Sequence, residues 1–322
     1  MPLLGSPALL AIVGPTGSGK TAVAVELSRH LDVEVISADS RQVRRGMRIG
    51  TAAPTDQEMA AVPHHLVGVV EPDAQYTLVD WLRGARAAIA SVRERDRLPL
   101  LVGGTGQYVR ALLEGWTVPE VPPNEGLRAE LERLAEQQGI HALHEHLASR
   151  DPDSAARIDA RNVRRVIRAL EVIEATGEPV RRLGPASPGF RWRCFGLRWP
   201  RTELYQRIDE RVVAMFDQGL LDETRELVER YGRAFRALRT IGYQEALGVV
   251  DGRYSIEEAI ERAQLATHRL VRTQANWFPD GASWIEWVDG RDARSAALTI
   301  AAAVEKGVAP QPEGGGISSS CK

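Results

Sequence analysis

Short, continuous apolar runs in the first third of the chain alternate with stretches that carry apolar residues at helical spacing. Runs of this length without polar positions are typical of buried strands in a parallel sheet, which needs cover on both faces. We therefore predict an α/β fold, with a parallel sheet flanked by helices. The predicted strands are 8–13, 33–37, 98–102 and a shorter one within 63–70, and the predicted helices are 21–30, 78–95 and 107–113.

The pattern changes at 118–123, a proline-rich segment that interrupts the alternation of strands and helices. Residues 125–180 show helical periodicity without strand signals, and strand character returns only at 191–199. A block of helices between two α/β parts indicates an insertion into one larger domain. The predicted domains are a discontinuous α/β core, 1–117 and 190–308, a helical insertion domain, 118–189, and a disordered tail, 309–322.

Beyond residue 200 the sequence predicts a mainly helical C-terminal part. Long stretches at helical spacing cover 202–231, 236–247 and 255–278. A last strand is predicted at 284–288, followed by a helix at 291–306.

Composition places the chain among ordinary globular proteins, with 43% hydrophobic and 26% charged residues in 322. No apolar stretch is long enough to span a membrane. The two cysteines, Cys194 and Cys321, are too few for a zinc site or a disulfide framework and fit a reducing compartment. We expect a cytoplasmic protein without a membrane partner, acting as a monomer.

One segment has the spacing G-x-x-x-x-G-K-T of a phosphate-binding P-loop, between the first predicted strand and the first predicted helix. Its glycines let backbone N–H groups surround phosphate oxygens, and the following helix adds donors and partial positive charge. Lys20 is one of three lysines among 38 arginines, and its compact ammonium reaches between phosphates better than a planar guanidinium. The segment predicts a di- or triphosphate site in a P-loop NTPase-like fold, with Thr21 placed to bind Mg²⁺. Its residues are Gly14, Pro15, Thr16, Gly17, Ser18, Gly19, Lys20 and Thr21.

Charge is unevenly distributed along the chain, although its formal net value is only −2. Residues 161–201 contain ten arginines and three acidic residues, a local charge of +7. A solvated arginine-rich surface would give the same composition. The alternative is a surface that contacts a nucleic-acid phosphate backbone.

The P-loop restricts the ligand but leaves the reaction open. A nucleotide hydrolase usually has an apolar strand that ends in a metal-binding aspartate, yet the run 98–102 is followed by Gly103, Gly104 and Thr105. The carboxylate that follows a strand here is Asp39. In open parallel sheets, ligands sit at this carboxyl edge of the strands.

Several further motifs stand in a fixed order along residues 8–290. They are the P-loop, Ser37-Ala38-Asp39-Ser40-Arg41-Gln42, Arg45-Gly46-Met47, Ile49-Gly50-Thr51-Ala52, Val62-Pro63-His64-His65-Leu66, Leu101-Val102-Gly103-Gly104-Thr105-Gly106-Gln107-Tyr108, Arg207-Ile208-Asp209-Glu210-Arg211-Val212 and Thr240-Ile241-Gly242-Tyr243-Gln244-Glu245. Together they resemble the tRNA dimethylallyltransferases. Several independent motifs make this resemblance far more specific than the P-loop alone.

The resemblance implies a reaction and a set of partners. In this family a dimethylallyl group passes from dimethylallyl diphosphate to N6 of the adenosine immediately 3′ of a tRNA anticodon. The P-loop then holds the diphosphate of the donor, with Mg²⁺ as cofactor. Asp39 matches the family's general base, Thr105 its threonine near the diphosphate, and Arg211 its arginine that contacts the diphosphate.

The resemblance also implies how RNA is bound. The insertion at 118–189 is similar to the family's helical domain that grips the anticodon stem-loop, and the target adenine is extruded from its stack. The positions that match tRNA-contacting residues are Asp39, Ser40, Arg41, Gln42, Thr105, Arg128, Arg164, Arg165, Arg168, Arg272 and Gln274.

Some positions depart from the family pattern. Family members commonly have tyrosine at Arg44, aspartate at Arg48 and lysine at Ala53, and Thr273 interrupts the C-terminal basic motif. These departures concern tRNA contact.

Three alternative functions stay open. They are prenylation of free adenine nucleotides, phosphoryl transfer by a small-molecule kinase, and RNA binding by a P-loop module without activity.

Overall fold

The computed structural model describes residues 8–180 and 187–307, and a six-stranded sheet organises most of them. Its strand order is β3-β2-β4-β1-β5-β6, and every pair of neighbouring strands is parallel. This confirms the predicted α/β class. The strands are β1 (Leu9–Val13), β2 (Val33–Ser37), β3 (His64–His65), β4 (Leu98–Gly103), β5 (Trp192–Arg198) and β6 (Glu286–Asp289).

Two compact units divide the chain, and the first contains the sheet. Its described residues are 8–116 and 187–307. Its helices are α1 (Lys20–Leu27), α2 (Asp56–Ala61), α3 (Leu78–Glu94), α4 (Gly106–Leu113), α9 (Arg201–Asp217), α10 (Leu220–Tyr231), α11 (Tyr243–Val250), α12 (Ile256–Ala275) and α13 (Ala293–Glu305).

The sheet is covered on both faces, as its apolar strands require. All five residues of β1 are buried, because it lies between β4 and β5. One core joins the strands to α1 and α13. Trp81 and Tyr108 stack at 4.4 Å between ring centroids, and the Trp81 indole N–H donates to the Ser37 carbonyl at 3.0 Å. A second core is formed among α9, α10, α11 and α12.

Glycines break two of the predicted long helices. The predicted helix 202–231 is two helices, because Gly219 adopts a φ of 100°. The predicted helix 236–247 is a 3₁₀ turn, Arg236–Arg239, followed by α11, with Gly242 at a φ of 93° between them. Both values lie in the left-handed region, which a continuous helix cannot contain. The sequence prediction also missed α2, which begins at a capping box made by Thr55 and Glu58.

The second unit is helical and has its own core. It comprises Thr117–Gly184, of which residues 117–180 are described, whereas the predicted insertion ends at 189. Buried leucines, among them Leu131, Leu143 and Leu170, pack at its centre. Its role in gripping tRNA stays a prediction. The helices are α5 (Glu125–Gln138), α6 (Ile140–Arg150), α7 (Pro152–Arg157) and α8 (Val163–Thr176).

Some expectations lie outside the described residues. These are the predicted disorder of 309–322 and the contribution of Arg181 and Arg182 to the basic segment. Across 8–180 and 187–307, no helix combines the length and apolar character needed to cross a membrane.

A buried carboxylate anchors the edge of the sheet that carries β2 and β3. The Glu34 side chain, 3% exposed, accepts hydrogen bonds from Arg95 Nε at 3.0 Å and Arg95 Nη2 at 2.6 Å. Arg97 Nη1 lies 3.2 Å away, and His65 Nε2 lies 2.7 Å away. The hydrogen bonds from Arg95 lower the pKa of Glu34 to about 2, against the opposing effect of burial.

We expect Glu34→Gln to destabilise the protein by about 3 kcal/mol at pH 7. Because the folded-state pKa is depressed, the stabilisation is complete above pH 4.5 and is lost as pH falls toward 2. The difference in the free energy of unfolding between Glu34→Gln and the wild type should therefore be roughly halved at pH 3. Urea denaturation followed by tryptophan fluorescence measures it, since all seven tryptophans lie in the first unit.

The exposed neighbour Glu94 provides the control, because it lies beside the same arginine without being buried. Glu94→Gln should leave the urea midpoint almost unchanged. Equal midpoints for Glu34→Gln and wild type at pH 7 would show that the buried cluster adds no stability.

Candidate active site

Three loops meet at the carboxyl edge of the sheet and line one cavity. They follow β1, β2 and β4, the strands that stand next to each other at the centre. The cavity has a volume of about 890 Å³, and its walls include Lys20, Asp39, Gly104 and Arg211. This is the size of an ordinary small-molecule site. The P-loop, Asp39 and Arg211, which are far apart in sequence, are thus brought together.

The P-loop contacts α9 and Trp199, which precedes that helix. Gly17 adopts a φ of 81°, and a Cβ there would lie 2.8 Å from the Ile208 side chain. Arg207 Nε donates to the Gly17 carbonyl at 2.8 Å, and Trp199 Nε1 donates to the Ser18 carbonyl at 3.1 Å. The sequence prediction did not assign a role to Arg207 or Trp199, the donors of these two hydrogen bonds. Arg207 and Trp199 are far from the loop in sequence, so these contacts arise only in the folded chain.

The Lys20 ammonium folds back onto its own loop. Nζ donates to the carbonyls of Pro15 at 2.7 Å and Gly14 at 3.1 Å. Burial lowers the pKa of Lys20 to about 8, the Asp39 charge opposes this shift, and the Arg211 charge adds to it. Burial also lowers the pKa of Arg211, which Asp39 partly offsets. Two desolvated cations beside a single carboxylate favour the binding of a polyanion.

Asp39 is oriented by the turn that follows it. Its Oδ1 accepts from the backbone N–H of Arg41 at 2.8 Å and of Gln42 at 3.3 Å. Among the described residues its Oδ2 accepts no hydrogen bond, and the side chain lines the cavity. A carboxylate with one fixed and one available oxygen is suited to accept a proton from a bound ligand.

Thr105 joins the loop after β4 to the loop that carries Asp39. Its Oγ1 accepts from the backbone N–H of Ser40 at 3.0 Å and donates to Ser40 Oγ at 3.4 Å. The two loops can approach this closely because β2 and β4 are neighbours and Gly103 has no side chain. A Cβ at Gly103 would lie 2.2 Å from the Ala38 carbonyl oxygen.

Gln274 and Arg272 lie on the last turn of α12 but in different surroundings. The Gln274 amide bridges two loops of the site, since Oε1 accepts from Thr16 N at 2.9 Å and Nε2 donates to the Gly104 carbonyl at 3.0 Å. Arg272 is exposed. The structure therefore gives Gln274 a place in the cavity wall, where it connects the P-loop to the loop that follows β4.

Thr21 lines the cavity at the first turn of α1. Among the described residues, no group of three or more His, Cys, Asp or Glu is arranged to hold a metal ion. Mg²⁺ commonly keeps several waters and binds through substrate phosphates and one or two protein oxygens. One hydroxyl beside a phosphate-binding loop therefore fits Mg²⁺, but only together with a bound diphosphate.

The arginines predicted to contact tRNA in the second unit fall into two classes. Arg128 and Arg168 both bind the buried Glu171 carboxylate, with Arg128 Nε 2.9 Å from Oε1. Arg168 Nη2 also donates to the Val121 carbonyl at 2.9 Å, so this cluster fixes the proline-rich segment. Arg164 and Arg165 are exposed and form no ion pair within residues 8–180 and 187–307.

Two of the departures from the family pattern, Arg44 and Arg48, make local contacts. Arg44 Nη1 donates to the carbonyls of Glu71 at 3.0 Å and of Ala74, which closes a loop beside the site. Arg48 Nη2 lies 2.6 Å from Asp56 Oδ1. Arg48 and Ala53 both line the cavity.

Known isopentenyl and dimethylallyl transferases are similar to this chain in sequence and structure. Residues 42–281 match the family model for IPP transferase, and residues 7–65 match the model for isopentenyl transferase. A tRNA dimethylallyltransferase from Roseiflexus castenholzii is 51% identical over 84% of this chain and 89% of its own length. One from Chloroflexus aurantiacus is 46% identical over 86% of this chain and 98% of its own.

Two solved structures are similar over most of the chain. The full-length tRNA isopentenylpyrophosphate transferase from Bacillus halodurans has a TM-score of 0.66 at 39% identity, covering 92% of this chain and 97% of that one. A eukaryotic dimethylallyltransferase, crystallised acting on tRNA, has a TM-score of 0.77 at 26% identity and covers 92% and 78%.

Proposed function

Because this chain belongs to the IPP transferase family and transfers a prenyl group to tRNA, we propose that its donor is dimethylallyl diphosphate, bound through the P-loop. The acceptor is N6 of the adenosine immediately 3′ of the anticodon. One observation carries the proposal: Lys20, Arg211 and Asp39, two cations and one carboxylate, line the same cavity. We propose a monomer as the active form.

The proposed reaction breaks the allylic C–O bond of the donor and forms a bond from its C1 to N6. Negative charge develops on the departing diphosphate, where Lys20, Arg211 and the P-loop N–H groups stabilise it. Mg²⁺, when held by Thr21 and the diphosphate, supplies further charge stabilisation. Diphosphate therefore leaves as the stabilised anion.

Asp39 acts on the acceptor in this proposal. The N6 amine is a weak nucleophile, because its lone pair is delocalised into the ring. Oδ2 of Asp39 accepts the N6 proton as the C–N bond forms, while Oδ1 stays bound to the turn at Arg41 and Gln42. The adenine reaches this carboxylate after leaving its stack in the anticodon loop.

Mass spectrometry of nucleosides from tRNA incubated with protein, Mg²⁺ and dimethylallyl diphosphate tests the proposal. We expect one dimethylallyl group per modified adenosine at the position 3′ of the anticodon. AMP and ADP are assayed in parallel as acceptors. Faster prenylation of the free nucleotides would contradict the choice of acceptor, and ATP-dependent phosphorylation without prenyl transfer would contradict the choice of donor.

We further propose that the second unit binds the anticodon stem-loop through Arg164 and Arg165. Each phosphate contact contributes about 0.7–0.9 to the slope of log affinity against log salt concentration. Arg164→Ala with Arg165→Ala should therefore weaken tRNA binding and lower the slope by about 1.4–1.8. Filter binding at several salt concentrations gives the slope.

Arg150 and Arg161 provide a matched control pair in the same unit. Each is already paired with an acidic residue, Arg150 with Glu174 at 2.7 Å and Arg161 with Asp159 at 2.5 Å. Replacing both with alanine should change the slope less. Equal slopes for the Arg164/Arg165 variant and wild type would exclude phosphate contact at this surface.

A further inference from the structure

One wall of the cavity is held in place by a carboxylate from α10. The wall consists of residues 48–53, and Arg48, Ile49, Thr51, Ala52 and Ala53 line the cavity. Glu223 Oε2 accepts from the backbone N–H of Arg48 at 3.1 Å, and Oε1 accepts from that of Ile49 at 3.0 Å. The N–H of Gly50 lies 3.5 Å from the same Oε1. One carboxylate thus fixes three consecutive peptide groups.

Tyr243 completes this anchor. Its hydroxyl donates to Glu223 Oε1 at 2.5 Å, and its ring is fully buried. Gly50 packs directly on the ring, since a Cβ there would lie 2.5 Å from a ring carbon. The wall therefore packs against the Tyr243 ring at Gly50 and is hydrogen-bonded to Glu223 at the same residues. Charge-assisted hydrogen bonds of this kind are among the stronger ones in proteins.

The other end of the wall is bound to the turn that carries Asp39. Gln42 Nε2 donates to the Ala52 carbonyl at 3.0 Å, and its Oε1 accepts from Ser37 Oγ at 3.2 Å. The Gln42 backbone N–H donates to Asp39 Oδ1 at 3.3 Å. At this second anchor, Ala52 adopts a φ of 45°, which costs about 1 kcal/mol or more and persists only where neighbouring structure holds it.

We propose that Glu223 is a positioning residue for prenyl transfer, which fixes the wall at 48–53 and, through Ala52 and Gln42, the Asp39 carboxylate. The inference rests on the proposed function, because it assigns Asp39 to the acceptor. Glu223 lies 175 residues from Arg48 in sequence and does not line the cavity. Within the described residues, no hydrogen bond joins the wall to the P-loop. Glu223 therefore acts on the acceptor side of the site.

The consequence is a separation of two measurable properties. Loss of Glu223 should lower kcat for prenyl transfer and leave the binding of inorganic pyrophosphate to the P-loop unchanged. A misplacement of about 1 Å in a catalytic group can cost roughly a hundredfold in rate. We expect about this loss for Glu223→Ala and a smaller loss for Glu223→Gln, whose amide retains one acceptor but turns an N–H₂ toward backbone N–H groups.

The test measures kcat with saturating tRNA and dimethylallyl diphosphate, and pyrophosphate affinity and stoichiometry by calorimetry. The variants are Glu223→Ala, Glu223→Gln and Tyr243→Phe, which retains the ring that contacts Gly50. Glu226→Gln is the matched control, an exposed carboxylate on the same helix. A purely structural role would lower the number of pyrophosphate sites per chain, whereas a positioning role lowers kcat per intact site.

Four results of this experiment bear on the role of Glu223. Reduced kcat with wild-type pyrophosphate affinity and stoichiometry, in Glu223→Gln and Tyr243→Phe even if Glu223→Ala does not fold, supports the positioning role. Unchanged kcat in both folded variants overturns it and leaves the proposed donor site intact. Loss of pyrophosphate sites in parallel with activity also overturns it. Absence of prenyl transfer by the wild-type protein would overturn the proposed function and this inference together.

Discussion

Replacing Asp39 with alanine is expected to slow prenyl transfer by about 10²–10⁴-fold, the usual contribution of a positioned general base. Without the carboxylate, the N6 proton has no acceptor when the C–N bond forms. The measurement is single-turnover formation of modified adenosine with saturating donor and tRNA, which isolates the chemical step from product release.

Asp39→Asn separates proton transfer from geometry. Its amide oxygen can still accept from the N–H groups of Arg41 and Gln42, which hold Oδ1 in the wild type. The asparagine amide cannot take a proton, so the rate of prenyl transfer by Asp39→Asn should fall nearly as far as that of Asp39→Ala. Pyrophosphate should bind at least as tightly, because a negative charge is removed from beside the phosphate site. A rate within a few-fold of wild type would exclude Asp39 as the base.

Lys20→Ala is expected to raise the barrier to prenyl transfer by about 2.7–4 kcal/mol, a loss of roughly a hundred- to a thousandfold in rate. In the proposed mechanism, the ammonium stabilises charge that develops on the leaving diphosphate, and the P-loop N–H groups alone would stabilise it only in part. Pyrophosphate affinity should fall as well, and calorimetry measures it directly. Lys306→Ala, at an exposed lysine beyond α13, is the matched control.

The pH dependence of pyrophosphate binding gives an independent check on Lys20. With a pKa of about 8 in the free protein, the ammonium is charged below pH 8 and neutral above it. Wild-type affinity should therefore fall as pH rises through 8 to 9, and binding should be accompanied by proton uptake there. Lys20→Ala should lack this part of the pH dependence. The same decline in both proteins would assign the titration to another group.

Local patterns predicted the sheet well because its strands are buried on both faces. The predicted strand 33–37 is β2 as observed, and the runs at 98–102 and 191–199 differ from β4 and β5 only at their ends. The helix breaks at Gly219 and Gly242 were missed because apolar periodicity continues across them. A single glycine inside such a pattern does not reveal a left-handed φ, which depends on the packing of the flanking helices.

The candidate site was predictable only where it is local in sequence. The P-loop is one continuous segment, so its spacing identifies it. The contact between Thr105 and Ser40 depends on β2 and β4 being neighbours, which sequence order does not indicate. The Glu223 anchor spans 175 residues, and the Arg128–Glu171 pair spans 43. Pairs separated this far in sequence carry no periodic signal. Arg211 was assigned from the family resemblance alone.

The position of the Lys20 ammonium on its own loop bears on how the proposed donor site is restored between turnovers. Lys20 Nζ already donates to the carbonyls of Gly14 at 3.1 Å and Pro15 at 2.7 Å, so the cation has partners in the absence of a diphosphate. Leaving a buried charged group without a partner would cost about 1–3 kcal/mol or more. In the proposed reaction, these two carbonyls therefore act as partners of the Lys20 charge when no diphosphate is bound, and each incoming donor exchanges them for its phosphate oxygens.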